Sequence, residues 1–343
     1  MPFMDIFNQD AFSLTSMLGA VERVDTKPNR LGQLGIFNTN PVRTETIAIE
    51  ERAGTLSLIQ TSGRGDPLDQ RTTEKRKIRN FNTSRVAKQD HILASELAFV
   101  RQFGTENMIM QLQMELARRL DGPSGLIAEV EMTWENMRLG AVQGILTDAD
   151  GSVIYNWFDE FGITQATETD FDLDNASPAS GVLRKTIQDK VVRAMRRLAK
   201  GARYTEIRAL CGSAFFDDLI AHPEVRESYL SQVAASELRE GYDGTEFRFG
   251  GVVWEEYVGT DDNSTVAVGT DKVKFFPSGG GNTVFEVAHS PGESFSHLGQ
   301  LGEPIYPMVV PDMNRDQFVD LEVYSYPLFI CKRPEMLLRG KRT

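Results

Sequence analysis

The opening forty residues carry large apolar side chains in no periodicity that would let them bury one another, and this limits what the chain can become. Phe7, Phe12, Leu14, Leu18 and Phe37 are scattered among the turn-forming runs Lys27-Pro28-Asn29-Arg30, Leu31-Gly32-Gln33-Leu34-Gly35 and Asn38-Thr39-Asn40-Pro41. Only residues 13–24 suit a short helix. Ordering such a stretch costs entropy, so it needs a surface on its own body or on a neighbour. Residues 1–43 read as an arm, with Phe12, Leu18 and Phe37 as its contact residues.

A second projecting element follows. Thr46, Ile47, Ile49, Thr55, Leu56, Leu58 and Ile59 are strand formers in partial alternation. Thr61-Ser62-Gly63-Arg64-Gly65-Asp66-Pro67 is a strong turn signal, and its Arg-Gly-Asp tripeptide is turn chemistry rather than an adhesion motif. A polar, basic stretch over 70–88 returns the chain, with Ile78, Phe81 and Val86 as its few apolar residues. The pattern predicts a glycine-tipped hairpin over 44–90. Residues 61–90 hold eight Lys/Arg and four Asp/Glu inside a chain of formal net charge −12. Opposite charge on an exposed loop suits docking on an acidic neighbour, because complementary potential sets register and encounter rate. The candidate contacts are Arg64, Arg71, Lys75, Arg76, Lys77, Arg79, Arg85 and Lys88. A solvated hairpin on a monomer is the other reading.

The remainder predicts a mixed body. Asp90 is placed to cap a helix over 92–103, and a second helix runs over 105–120 to Asp121-Gly122-Pro123. A third over 124–146 carries Ile127, Val130, Trp134, Met137, Ala141 and Ile145 at spacings of three and four, an apolar stripe roughly 30 Å long. A strand is expected over 152–161, with Val153, Tyr155 and Trp157 on one side. A fourth helix over 181–201 has the seam Leu183, Ile187, Val191, Ala194 and Leu198. Arg184, Lys185, Lys190, Arg193, Arg196, Arg197 and Lys200 crowd its other faces, as a solvated surface, a subunit contact or a sequence-independent phosphate contact. Strands follow over 203–210, 247–257, 266–276 and 283–288, and one long strand over 318–334 returns to pair near Val153.

Little points to catalysis. The chain lacks the glycine-rich, HExxH and GxSxG signatures of nucleotide, zinc and serine chemistry. His91, His222, His289 and His297 have no metal-ligand spacing, and the last two read as isolated surface imidazoles. Asp170, Asp172 and Asp174 begin like a calcium loop, but Asn175 and Gly181 stand where glycine and a bidentate glutamate belong. Cys211 and Cys331, far apart in apolar contexts, read as reduced core thiols. No cofactor is expected. No apolar run approaches the ~18 residues of a membrane span, and no signal-peptide pattern precedes the arm, so synthesis in a cytoplasm is expected. A free-standing nucleic-acid reader usually carries net positive charge; an acidic subunit can still enclose DNA without adhering to it.

The order of these elements resembles the lambda-type phage major capsid protein family (capsid protein E). Four stretches carry the likeness: residues 29–37 (NRLGQLGIF), 47–56 (IAIEERAGTL), 210–220 (LCGSAFFDDLI) with His222-Pro223-Glu224-Val225, and Tyr326-Pro327-Leu328 with Arg333-Pro334. The resemblance implies an α+β Hong Kong 97 phage-type capsid fold. Its parts would be an N-arm (1–43), an E-loop hairpin (44–90), a peripheral domain with a long spine helix (91–182), an axial domain (183–304) and a return strand of the peripheral domain (305–343). It implies self-assembly into hexamers and pentamers of an icosahedral shell, made in a bacterial cytoplasm, enclosing packaged double-stranded DNA without sequence-specific contacts. Separate scaffold and portal proteins, and decoration proteins, would be its partners, with no membrane and no enzymatic step. Some relatives cross-link a hairpin lysine; nothing marks Lys75, Lys77 or Lys88, so no cross-link is expected. An encapsulin-like cage is the runner-up, followed by a cytosolic hydrolase or a nucleic-acid-binding protein. Deleting residues 63–85 is expected to leave a folded subunit that forms no shells.

Overall fold

The structure, a computed structural model, describes residues 29–53, 75–99, 108–122, 125–175, 177–230, 246–257, 259, 266–281, 283–315 and 317–343; at 50–53, 75–76, 97–99, 108–114 and 229–230 only the backbone is described. Its centre is the helix Leu126–Gln143, which buries Ile127, Val130, Trp134, Met137 and Ala141 as the stripe requires. Gly144 ends it in the left-handed conformation (φ 84°), the usual helix-stop geometry. Ile145, expected on the stripe, instead opens the short strand Ile145–Thr147.

That strand pairs with Val153–Asn156, and the strand expected over 152–161 stops there. The Asn156 side chain accepts the Phe158 amide and caps the helix Trp157–Phe161, so Trp157 is fully buried from a helix. Asp90 is likewise no cap. The strand Val86–Leu93 runs through it into the helix Ala94–Phe99, and the Asp90 carboxylate receives Arg119 Nη1 at 3.2 Å. The next helix is Met108–Asp121.

A six-stranded sheet runs in the order Thr169–Asp170, Leu338–Lys341, Lys272–Ser278, Glu206–Cys211, Val252–Glu256, Phe247–Phe249. The strand expected over 247–257 is a hairpin, because Gly250 and Gly251 (φ 64° and 84°) form the two-residue turn that positive φ at both positions favours. Trp254, fully buried, stacks on Phe215 at 6.2 Å and meets Phe275 edge-on at 5.4 Å.

The fourth helix is continuous through Val182–Thr186, a π-helical Ile187–Val192 and Arg193–Ala199. It buries Leu183, Ile187, Val191, Met195 and Ala199, so the seam passes through Met195 and Ala199 rather than Ala194 and Leu198. A constant spacing of four overshoots each 3.6-residue turn by about 40°. The wider π turn absorbs part of that drift and keeps the seam on the sheet side.

The long strand expected over 318–334 is two strands broken at Tyr326. Phe318–Ser325, buried at alternate residues, lies between Val86–Leu93 and Tyr306–Pro311. Pro327–Cys331 pairs with Phe285–His289, which pairs on its other side with Phe37–Pro41. Neither pairs near Val153. Alternation sets which face of a strand is buried, but it does not choose the partner.

Candidate subunit-contact surface

The hairpin has a buried root. Thr46–Ala53 and Lys75–Asn82 pair antiparallel, from Thr46 opposite Asn82 to Ala53 opposite Lys75. Phe81, 2% exposed, sits among Tyr155 (5.6 Å), Trp157 (5.3 Å) and Phe161 (6.3 Å). The Tyr155 hydroxyl accepts from the Asn82 amide at 3.0 Å and donates to its carbonyl at 3.2 Å, like an extra rung of the ladder. The Arg79 guanidinium lies 5.3 Å over Phe161. Three residues before Phe81, Ile78 is 67% exposed. The strands therefore leave their own body beyond Arg79, and at about 3.3 Å per residue their described part runs roughly 13 Å further, to Lys75.

The expected contacts divide. Lys77 is exposed on the projecting part. Arg85 pairs with Glu293 at 2.8 Å and lies 5.1 Å over Tyr324, and Lys88 pairs with Glu129 at 2.5 Å, so these two have partners on their own chain. The side chains of Lys75 and Arg76, and all of Arg64, Arg71, Phe12 and Leu18, lie outside the described residues. Over 44–90 there are nine Lys/Arg against seven Asp/Glu, because Glu45, Glu50 and Glu51 lie on the outgoing side. The basic excess belongs to the returning side alone.

From Asn29 onward the arm is docked on its own body. Leu31 (0% exposed) and Ile36 (2%) are core, and Phe37 packs on Phe285 and Phe329 with ring centres 5.3 and 5.4 Å away. Phe37, expected to reach for a neighbour, is thus half-buried within its own subunit. A carboxylate holds the arm. Glu135, 1% exposed, accepts the Leu31 amide at 2.8 Å and the Tyr257 hydroxyl at 3.1 Å, and pairs with Arg138 at 3.4 Å. Burial lowers the affinity of the Arg138 guanidinium for its proton, and burial beside Glu135 raises the Tyr257 hydroxyl. Alongside, Arg30 pairs with Glu246 (2.5 Å) and Glu255, and Arg208 pairs with Glu246 (2.7 Å) and Glu206 (2.7 Å).

Two histidines correct the reading. His289 and His297 are 4% and 8% exposed, not surface imidazoles. Burial, with the Arg138 charge, brings His289 down to about 4. His297 meets Ser294 Oγ at 2.5 Å and Tyr306 edge-on at 4.6 Å, pinning a loop that pushes out Phe295 (94% exposed) and Leu298 (70%). Sequence reasoning missed this knob and the Glu135 latch. Apolar residues in the glycine- and serine-rich run 290–302 were a signal for the first. The latch had none, since Glu135 is one glutamate among several on a helix. Among the described residues no group of three or more His, Cys, Asp or Glu is arranged to hold a metal ion, and no helix is long and apolar enough to cross a membrane.

A rooted projection on a folded body suits attachment to a neighbouring copy, and comparison with known proteins agrees. The chain is similar to the major capsid protein of Salmonella phage Felix O1, 25% identical over 95% of each chain, and to that of Pseudomonas phage KPP10, 26% identical over 90% of this chain and 91% of that one. The crystal structure of a protein assigned as the capsid protein of an E. coli CFT073 prophage shares 13% identity and a TM-score of 0.56, covering 96% of this chain and 99% of that one. The cyanophage Pam1 capsid shares 14% and 0.50, covering 89% and 88%. The fold is the α+β Hong Kong 97 phage type. With phage major capsid protein E matched over residues 13–342, the chain belongs to that family.

Proposed function

We propose that this chain is the repeating subunit of an icosahedral phage head, forming hexamers and pentamers that enclose packaged double-stranded DNA. Assembly takes place in the host cytoplasm with separate scaffold, portal and decoration proteins, and the subunit performs no catalysis. The axial unit, 183–304, is built round the six-stranded sheet, to which Thr169–Asp170 and Leu338–Lys341 add strands from outside that span. The observation that carries the reading is the hairpin, rooted on Phe81 yet exposing Ile78 at 67%. A side chain so displayed gains its burial on a neighbour, and each contact repeated round a closed lattice makes the next effectively intramolecular.

The test is to replace residues 54–74 with a short Gly-Ser turn. Deletion to residue 85 would also remove Phe81, a core residue, and confuse assembly with folding. The shortened chain is expected to keep its circular dichroism and form no shells by electron microscopy. Shells of normal yield would refute the role given to the hairpin.

A further inference from the structure

The helix through Val182–Thr186, Ile187–Val192 and Arg193–Ala199 carries a charge pattern that its own stability does not explain. With the seam fixed on Leu183, Ile187, Val191, Met195 and Ala199, the side chains of Arg184, Lys185, Lys190, Arg193, Arg196, Arg197 and Lys200 are all exposed. Cations in a last turn offset the helix dipole, but Arg184 and Lys185 lie in the first turn, where the dipole opposes them. Like charges also fall three and four apart at 190/193, 193/196, 193/197 and 196/200, a spacing that disfavours the helix. Among the described residues, the only ion pair formed by any of the seven joins Arg193 to Asp189. Asp189, Lys190, Arg193, Arg196 and Arg197 line one shallow hollow. Two acids of the stretch just before the helix are engaged elsewhere, Glu168 with Lys272 at 2.9 Å and Asp170 with Lys341 at 3.3 Å.

We infer that this helix face binds the phosphate backbone of double-stranded DNA without reading sequence. The inference rests on the shell reading above. From residue 184 to 200 the row is about 24 Å long, and duplex DNA presents one charge per ~1.7 Å of axis, so repeated anions lie along the whole row. Two of its side chains that could read bases are engaged elsewhere: Gln188 donates to the Gly250 carbonyl at 2.6 Å, and Arg184 lies 5.4 Å over Phe249.

The test compares unassembled full-length subunit with a K190Q/R196Q/R197Q variant, binding a labelled random-sequence duplex across a salt series. Five cations with neither an ion pair nor an aromatic contact among the described residues (Lys185, Lys190, Arg196, Arg197, Lys200) predict that wild-type affinity falls about five-hundredfold from 50 to 200 mM salt; two remaining cations predict about tenfold. K190R should keep the wild-type slope, which a folding defect would not. No binding by wild type at 50 mM salt, or equal slopes for wild type and triple variant, overturns the inference. Equal slopes with loss of shells in the variant would identify the face as a contact between copies. Shell formation by wild type is scored separately by electron microscopy, so failure of the shell reading is seen apart from the DNA result.

Discussion

Glu135→Ala should free the arm and weaken the whole subunit. The change leaves the buried Leu31 amide and Tyr257 hydroxyl without their acceptor, at about 1–3 kcal/mol each. It also strands Arg138, and removing one member of a buried ion pair costs about 3–5 kcal/mol. One carboxylate serves all three partners, so these costs overlap, and about 5 kcal/mol is expected against a typical total stability of about 5–15 kcal/mol. Glu135→Gln keeps the shape and one acceptor oxygen and should cost about 2 kcal/mol. Urea unfolding followed by tryptophan fluorescence is well placed, because Trp134 is the preceding residue. At about 3 kcal/mol per molar urea, the alanine variant should lose roughly 1.5–2 M in midpoint. Trypsin supplies a local reading: Arg30, held by Glu246 and Glu255, should be cut faster in the variant. A wild-type midpoint together with unchanged cleavage at Arg30 would refute the latch.

Four further outcomes are expected. Phe81→Ala opens a cavity in the aromatic root and should cost about 3–5 kcal/mol, whereas Ile78→Ser should change subunit stability by under about 0.5 kcal/mol and lower shell yield in a sedimentation assay. His289 binds its proton at about 4 when folded, against 6.5 ordinarily, so between these values the unfolded chain is the more protonated state. Stability should therefore fall as pH drops from about 6.5 to 4, by up to about 3 kcal/mol, and His289→Gln should flatten that part of the profile. Glu115, held at about 2 by Arg118 and Arg119, contributes stability that is lost only at lower pH, from about 4.5 downward. Cys211 and Cys331 are fully buried with their thiols pushed up, so a thiol reagent should titrate neither in the native subunit and both in denaturant.

What could be read beforehand followed periodicity. The stripe from Ile127 to Ala141 repeats with the helical turn and is buried as expected. The hairpin strands lie where alternation and turn signals put them. Trp157 was misplaced because Val153 and Tyr155 lead into it in alternation, while one side-chain bond from Asn156 converts the next residues to helix. Asp90 looked like a cap because caps and strand ends share residue types; Ile92, 1% exposed, continues the strand past it. No local pattern encodes the strand partners of 318–331: Phe318–Ser325 pairs with Val86–Leu93 more than two hundred residues away, and Pro327–Cys331 with Phe285–His289 about forty residues away. The proposed contact surface rests on charge and surplus apolar area, which the sequence displays; that Phe37, Arg85 and Lys88 find partners on their own chain required the tertiary fold.

The joint at Tyr326 has a mechanical meaning. Phe318–Ser325 is laddered to Val86–Leu93, the direct continuation of the hairpin. Pro327–Cys331 is laddered through Phe285–His289 to Phe37–Pro41, the docked end of the arm. The docked arm and the hairpin, joined directly from Pro41 to Thr46, are thus also bolted to successive lengths of one backbone segment. Traction along these strands strains their hydrogen bonds in shear, all rungs together rather than one at a time. In a closed shell, tension drawn between hairpin and arm would be shared by these two ladders as well as by the chain between Pro41 and Thr46.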